Sequence, residues 1–242
     1  MIIWKKSKEV VLDCFTVEDS VAQHFPIRET TFFKSKAIKD IPKQNIESKL
    51  TRLEHPQYCN GFQDLMKYGF IMPWWTETYI EGDLVNGEYK LKFDSHIKSH
   101  QTHLFQYGLN SEDYARYQEK TDSVVVRMTS PWKIKANDKM LFLQTNTWVY
   151  NMKNTFMPLN GLLDFWWNHN ANVVVAITKQ NNLRYHFNPG EPLLQFIPTE
   201  KINLKIKIHV IDDIEHFKLD APFTFFQNRL NKLRKWSLKN EV

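Results

Sequence analysis

Three histidines pose the first chemical question. His96, His100 and His103 follow the spacing HxxxHxxH, which on a helix would align three imidazoles as a metal-binding face. Ser95, Ser99 and Gly108 sit among them and no apolar helical period supports a helix. The expectation is a polar loop with solvated histidines; metal ligation is the weaker reading. A non-haem iron site needs two histidines and a carboxylate. No histidine here is followed two residues later by an acid, and no H-x-H pair occurs. GxxxxGK[ST], GxGxxG, GxSxG and HExxH are also missing. Phosphate-loop, dinucleotide, hydrolase and zincin chemistry lose their main signals, and no cofactor is expected.

Asp164 is the one acid in an apolar stretch, flanked by Leu162, Leu163, Phe165, Trp166 and Trp167. A carboxylate in such company must be paired, open to water or functional. Period 2 puts it on the face of Leu162 and Trp166. It then serves either a pocket walled by Trp166 or a turn, accepting from backbone amides. Two tryptophan pairs, Trp74-Trp75 and Trp166-Trp167, accompany it. Neighbours in a strand face opposite sides, so one Trp of each pair is expected in the core and the other outside. The outer ones suit lid packing, a stacking platform for a sugar or base, or a protein contact. Asp164, Trp166, Trp74 and Trp75 are thus the candidate ligand-binding residues.

The elements that must position them read as mostly strands. Residues 9–17 are rich in β-branched and aromatic side chains. Residues 18–50 are polar, broken by Pro26 and Pro42, and read as irregular with at most one helical turn. Asn60 is a plausible cap for a short helix over 60–68 that ends at Gly69. Phe70 to Trp75 is an apolar strand whose Pro73 suggests an edge or a bulge. Thr76–Ile80 and Tyr89–Phe93 make a hairpin around a turn at Asp83–Gly87. Residues 94–123 read as a long loop. Further strands are expected at 124–128, 140–144, 161–166, 172–178, 192–197 and 202–210, with turns between them. The last alternates most cleanly, Ile202, Leu204, Ile206 and Ile208 against Asn203, Lys205, Lys207 and His209. Phe223, Phe226, Leu230 and Leu233 follow helical spacing in a basic C-terminal helix, 223–242.

Composition bounds the rest. Of 242 residues 42 % are hydrophobic and 14 % aromatic, which excludes global disorder. No apolar run approaches the ~20 residues that span a bilayer, and the first residues, Met1 to Lys6, do not read as a signal peptide. The net charge of +5 is concentrated in the tail. That argues against a broad nucleic-acid-binding face, leaving the basic tail as the one possible contact. Cys14 and Cys59 read as two reduced thiols.

Four segments together carry a resemblance across nearly the whole chain. They are Val11 to Thr16, Asn60 to Trp75, Ser130-Pro131-Trp132-Lys133-Ile134-Lys135, and Pro189 to Pro198. In this order they resemble an uncharacterised family found mostly in marine tailed phages, such as cyanophages, and in some bacteria. The resemblance implies a phage-encoded protein, in the cytoplasm of an infected bacterial host or in the virion, but brings no function. Many relatives carry Pro-x-Trp-Trp-Lys after the first strand; this chain has Phe32-Phe33-Lys34. A shorter stretch, Gly161-Leu162-Leu163-Asp164, a β run, then Gly190-Glu191-Pro192-Leu193-Leu194-Gln195-Phe196-Ile197, is similar to the trimeric dUTPase pattern. There the acid matching Asp164 activates water. Trp166 and Asn168 replace the Tyr and Gly expected next, and the Ser-Gly phosphate motif and Gly-rich arm are missing. What this second resemblance implies is architecture.

The sequence therefore leads to a mainly β protein, a jelly-roll or β-clip-like sandwich with an irregular α+β N-terminal section. One β-rich domain is expected over 1–222, divided into a section 1–123 and a β core 124–222, followed by the helix 223–242. The expected function is a non-catalytic binding or assembly protein with a protein partner or self-association. The alternative is an enzyme or sensor with a nucleotide-like or metal site near Asp164 and the three histidines.

Overall fold

The computed structural model describes residues 8–40, 59–95, 105–106, 122–148, 156–167 and 169–219. The fold is mainly β and sandwich-like, with four sheets around a shared core. The histidines at 96, 100 and 103 and the helix expected at 223–242 lie outside the described residues.

The first strand, β1 (Lys8–Thr16), lies between β8 (Lys133–Ala136), antiparallel, and β15 (Ile202–Val210), parallel. A parallel pair cannot be closed by a hairpin, so almost the whole chain serves as the crossover between its first and last strands. A four-stranded sheet runs in the order β10 (Phe156–Pro158), β12 (Val173–Thr178), β7 (Ser123–Met128), β6 (Phe105–Gln106). The largest sheet runs β11 (Gly161–Asp164), β9 (Leu141–Asn146), β14 (Pro192–Pro198), β3 (Phe70–Pro73), β2 (Arg28–Glu29). The last sheet is β13 (Leu183–Phe187), β4 (Thr78–Val85), β5 (Glu88–Ser95).

Inward-facing aromatics join these layers. Phe70, Phe142, Phe165 and Phe196 meet with ring centroids 4.7–6.1 Å apart. Trp74 stacks on Phe187 at 4.5 Å and packs against Phe156 at 6.2 Å.

Several local expectations shift. The section read as irregular holds two helices, α1 (Asp19–His24) and α2 (Thr30–Asp40). Their polar composition hid them, because α2 is held by a few apolar contacts, Phe33 and Ala37, and not by a continuous stripe. Helix α3 (Asn60–Leu65) is shorter than expected; Cys59 takes the cap position and no side chain caps it. The hairpin turn is Asn86-Gly87, with φ of 54° and 83°, so β4 runs on through Asp83 to Val85. Asn-Gly is the pair that tolerates left-handed backbone at both turn positions. Pro73 does accompany a bulge, a register shift between Pro192 and Leu194 on the paired strand. The strands β8, β10 and β13 and the helix α4 (Asp213–Lys218), capped by Asp212, had not been expected. Three of these are too short to show a period, and β13 sits between two turn signals.

Candidate functional site

The outer face of the five-stranded sheet changes character along its width. On the inner face Phe70, Met72, Phe142, Leu194 and Phe196 are buried. On the outer face, above β3 and β14, Ile71 packs with Phe33 and Ala37 of α2, with Met66 after α3, and with Trp148. Gln195 is buried beside it, and its Nε2 donates to the Leu65 carbonyl at 2.9 Å. Two short helices therefore roof this half of the sheet.

Above β9 and β11 there is no such roof among the described residues. The register aligns Leu162, Leu143 and Ile197 in one row, with Leu141 next to it. Leu162 is 62 % exposed, Leu141 44 % and Leu143 39 %. The tryptophan pair follows at the end of β11. Asp164 Oδ1 accepts a hydrogen bond from the Trp166 amide at 2.9 Å, and the Trp167 amide donates to the Asp164 carbonyl at 3.2 Å. This turn drives Phe165 into the core and leaves Trp166 and Trp167 38 % and 51 % exposed. Their rings stand edge to face, 6.4 Å apart, with the Lys139 ammonium 5.9 and 5.5 Å from the two centroids. The result is an apolar strip bordered by two indoles, one cation and one carboxylate.

The expectation that each Trp pair splits between core and solvent is corrected. Trp74 and Trp75 are both buried, at 0 % and 2 % exposure, and offer no surface to a ligand. Trp166 and Trp167 are both outside. Alternation fails because neither pair lies in regular strand. Beyond the end of β3 the Trp74 amide donates to Glu191 O and its carbonyl accepts from the Gly190 amide, both at 2.8 Å. Residues 165–167 form the turn described above. Asp164 accordingly acts as a turn acceptor. Leu141, Leu143 and Lys139 were missed by sequence reasoning. The available signal was the unbroken run Met140-Leu141-Phe142-Leu143, which is apolar on both faces of its strand.

Other chemistry is sparse. Cys14 and Cys59 are free thiols. Burial, with the Asp13 charge beside it, pushes the Cys14 thiol far up, so it stays protonated and unreactive. Among the described residues no three His, Cys, Asp or Glu side chains group as a metal site, and no helix is long and apolar enough to cross a membrane. A groove of ≈ 660 Å³ runs between β15 and the α1–α2 segment, lined by Ile206, Ile208, Ile27, Arg28 and Phe32. Comparison with protein-family models, with curated proteins and with solved structures finds no match in any of the three.

Proposed function

We propose that the protein is a non-catalytic, phage-encoded binding or assembly protein that contacts another protein chain through the uncovered outer face of β9 and β11. One observation carries the reading. On a single sheet face, the half above β3 is roofed by α2 and α3, whereas nothing among the described residues covers the exposed Leu141, Leu143 and Leu162 above β9 and β11. Contiguous exposed apolar surface on a folded domain marks an interaction site. Trp166 and Trp167 lie at its border, and tryptophan is the residue type most enriched among the anchors of protein interfaces. Covering three leucines and two indoles contributes roughly 1.5–3 kcal/mol per side chain. That is of the order of the roughly 4–15 kcal/mol that association costs. Such a protein would work in the cytoplasm of an infected bacterial host or in the virion.

The test is the double variant Leu143→Glu, Leu162→Glu in the full chain. Sedimentation velocity over a wide concentration range should show self-association of the parent that the variant lacks. Failing that, cross-linking in infected cells should join the parent, and not the variant, to one defined protein. Parent and variant alike in both measurements would overturn the reading.

A further inference from the structure

β15 meets β1 along one edge, and among the described residues no strand pairs with its other edge. The alternation of a strand fixes what each edge presents. The Ile211 amide donates to the Thr16 carbonyl of β1 at 3.0 Å. Main-chain N–H and C=O groups turn to alternate sides along a strand, so residues 205, 207 and 209 turn theirs toward β1. Leu204, Ile206 and Ile208 turn theirs to the opposite edge. That edge therefore offers a row of main-chain donors and acceptors to a further strand.

The side chains of the same three residues share the inner face with Val10, Leu12 and Cys14 of β1. Ile206 and Ile208 form one wall of the ≈ 660 Å³ groove, and Ala22 of α1, Ile27 and Phe32 of α2 form the other. Phe32 is 62 % exposed, with the Arg28 guanidinium 4.3 Å from its ring centroid. An apolar trough thus runs beside the edge, where alternate side chains of an added strand would fall. On the outer face the row is Asn203, Lys205, Lys207 and His209. Lys205 Nζ lies 2.9 Å from Glu9 of β1, and His209 Nε2 lies 2.8 Å from Asp13 of β1. The row itself holds two lysines and no acid.

From this geometry we propose that the edge of β15 takes up an extended segment of a partner protein in which apolar and acidic residues alternate. Its main chain bonds to Leu204, Ile206 and Ile208, and its apolar side chains enter the groove. Its carboxylates stand beside Lys205 and Lys207, because opposite charges on neighbouring strands attract and like charges repel. The same rule disfavours a second copy: two β15 edges paired about a twofold axis set lysine against lysine in every register that keeps the inner faces together. It also disfavours the chain's own residues 223–242, which hold five Lys or Arg and one acid. Strand addition draws affinity from the main chain and specificity from the alternate side chains. The edge is separate from the leucine strip and does not depend on it.

The experiment follows the amide spectrum and hydrogen exchange of the full chain during titration with heptapeptides. One alternates valine with glutamate, one alternates valine with lysine, and one has the first composition arranged in two blocks. In the free chain the amides of residues 205, 207 and 209 should exchange slowly and those of Leu204, Ile206 and Ile208 fast. The valine-glutamate peptide should bind saturably and slow the latter three. The other two peptides should bind about tenfold more weakly or worse. Ile206→Pro removes a donor from the open edge and no bond to β1, so it should abolish binding. The Lys205→Glu, Lys207→Glu variant should instead prefer the valine-lysine peptide. The Leu143→Glu, Leu162→Glu variant should bind as the parent does. Unshifted core amides verify the folding of each variant. Four results would each overturn the proposal: no slowing by the valine-glutamate peptide, equal binding of the valine-lysine peptide, slow edge amides in the dilute free chain, or slowing that rises with the concentration of the chain alone.

Discussion

Two outer sheet faces of this protein obey opposite rules. On β13-β4-β5 the outward positions are Arg184, His186, Tyr79, Glu81, Asp83, Lys90, Lys92 and Asp94, and the inward ones include Leu183, Phe187 and Ile80. That is the alternation of a sheet with one wet side. On β9 and β11 the outward positions are Leu141, Leu143 and Leu162, although Phe142 beneath them already fills the core. A strand apolar on both faces is made to be covered on both faces. Part of this sheet meets that demand from within the chain, through α2 and α3. The difference teaches that the polar sheet alternates as a free surface does, whereas the large sheet carries apolar side chains over β9 and β11 that nothing among the described residues covers.

Both faces rest on one core, so the largest effect should abolish the contrast. Trp74 is stacked on Phe187 of the polar sheet and follows β3 of the apolar one. Trp74→Ala should cost about 3–5 kcal/mol in urea unfolding, with both sheets lost in one transition. A cost near zero, or loss of one sheet alone, would show that the two do not share a core. The contrast within the large sheet comes next. Ile71→Ala, under the helical roof, should cost about 2–5 kcal/mol, whereas Leu162→Ala on the same face should stay within about 0.5 kcal/mol. Equal costs would mean that the β11 end is already covered in the free chain. Gly69→Ala should follow, at roughly 1–3 kcal/mol. Gly69 has φ of +80°, and a Cβ there would collide with the Phe196 carbonyl oxygen. The substitution strains the backbone and pushes β3 off β14, so faster hydrogen exchange should be confined to those strands. Unchanged exchange there would refute it.

The mainly β, sandwich-like class was legible because alternation and turn signals are local. Ile202–Val210 was found with its bounds intact. Pairing was not legible: nothing in residues 8–16 announces a parallel partner nearly two hundred positions away. Parallel neighbours leave no turn signal between them. The site was half legible. Trp166 and Asp164 drew attention by type, yet their roles depend on a three-residue turn that breaks the period used to read them. Trp74 and Trp75 failed for the same reason at the end of β3. Leu141, Leu143 and Leu162 passed as ordinary strand residues, because apolar side chains look alike in a sequence whether or not a roof exists above them. The edge of β15 also stayed silent, since only its pairing with β1 shows which side of the strand meets a neighbour.

The smallest effect belongs to the polar face, and its sign is set by Asp83. The Asn182 amide donates to Asp83 Oδ1 at 2.6 Å, and Arg184 Nη2 donates to Oδ2 at 3.2 Å. These bonds, the backbone one foremost, hold the carboxyl below its usual range. The native state therefore binds fewer protons than the unfolded chain as pH falls past about 3.9, the ordinary value for Asp. The stabilisation from Asp83 is fully present above that point and disappears as pH drops through the lowered native value. Asp138, held down by Lys8, contributes an acid slope of the same sign, so the slope should weaken in Asp83→Asn without vanishing. Urea midpoints from about pH 5 to about pH 2 would measure it. At neutral pH the variant should differ little from the parent, because the pair is solvent-exposed and screened. Parallel slopes for parent and variant would mean that the Asn182 and Arg184 bonds do not persist in solution. The rows of the polar face would then be less fixed than those beneath the leucines.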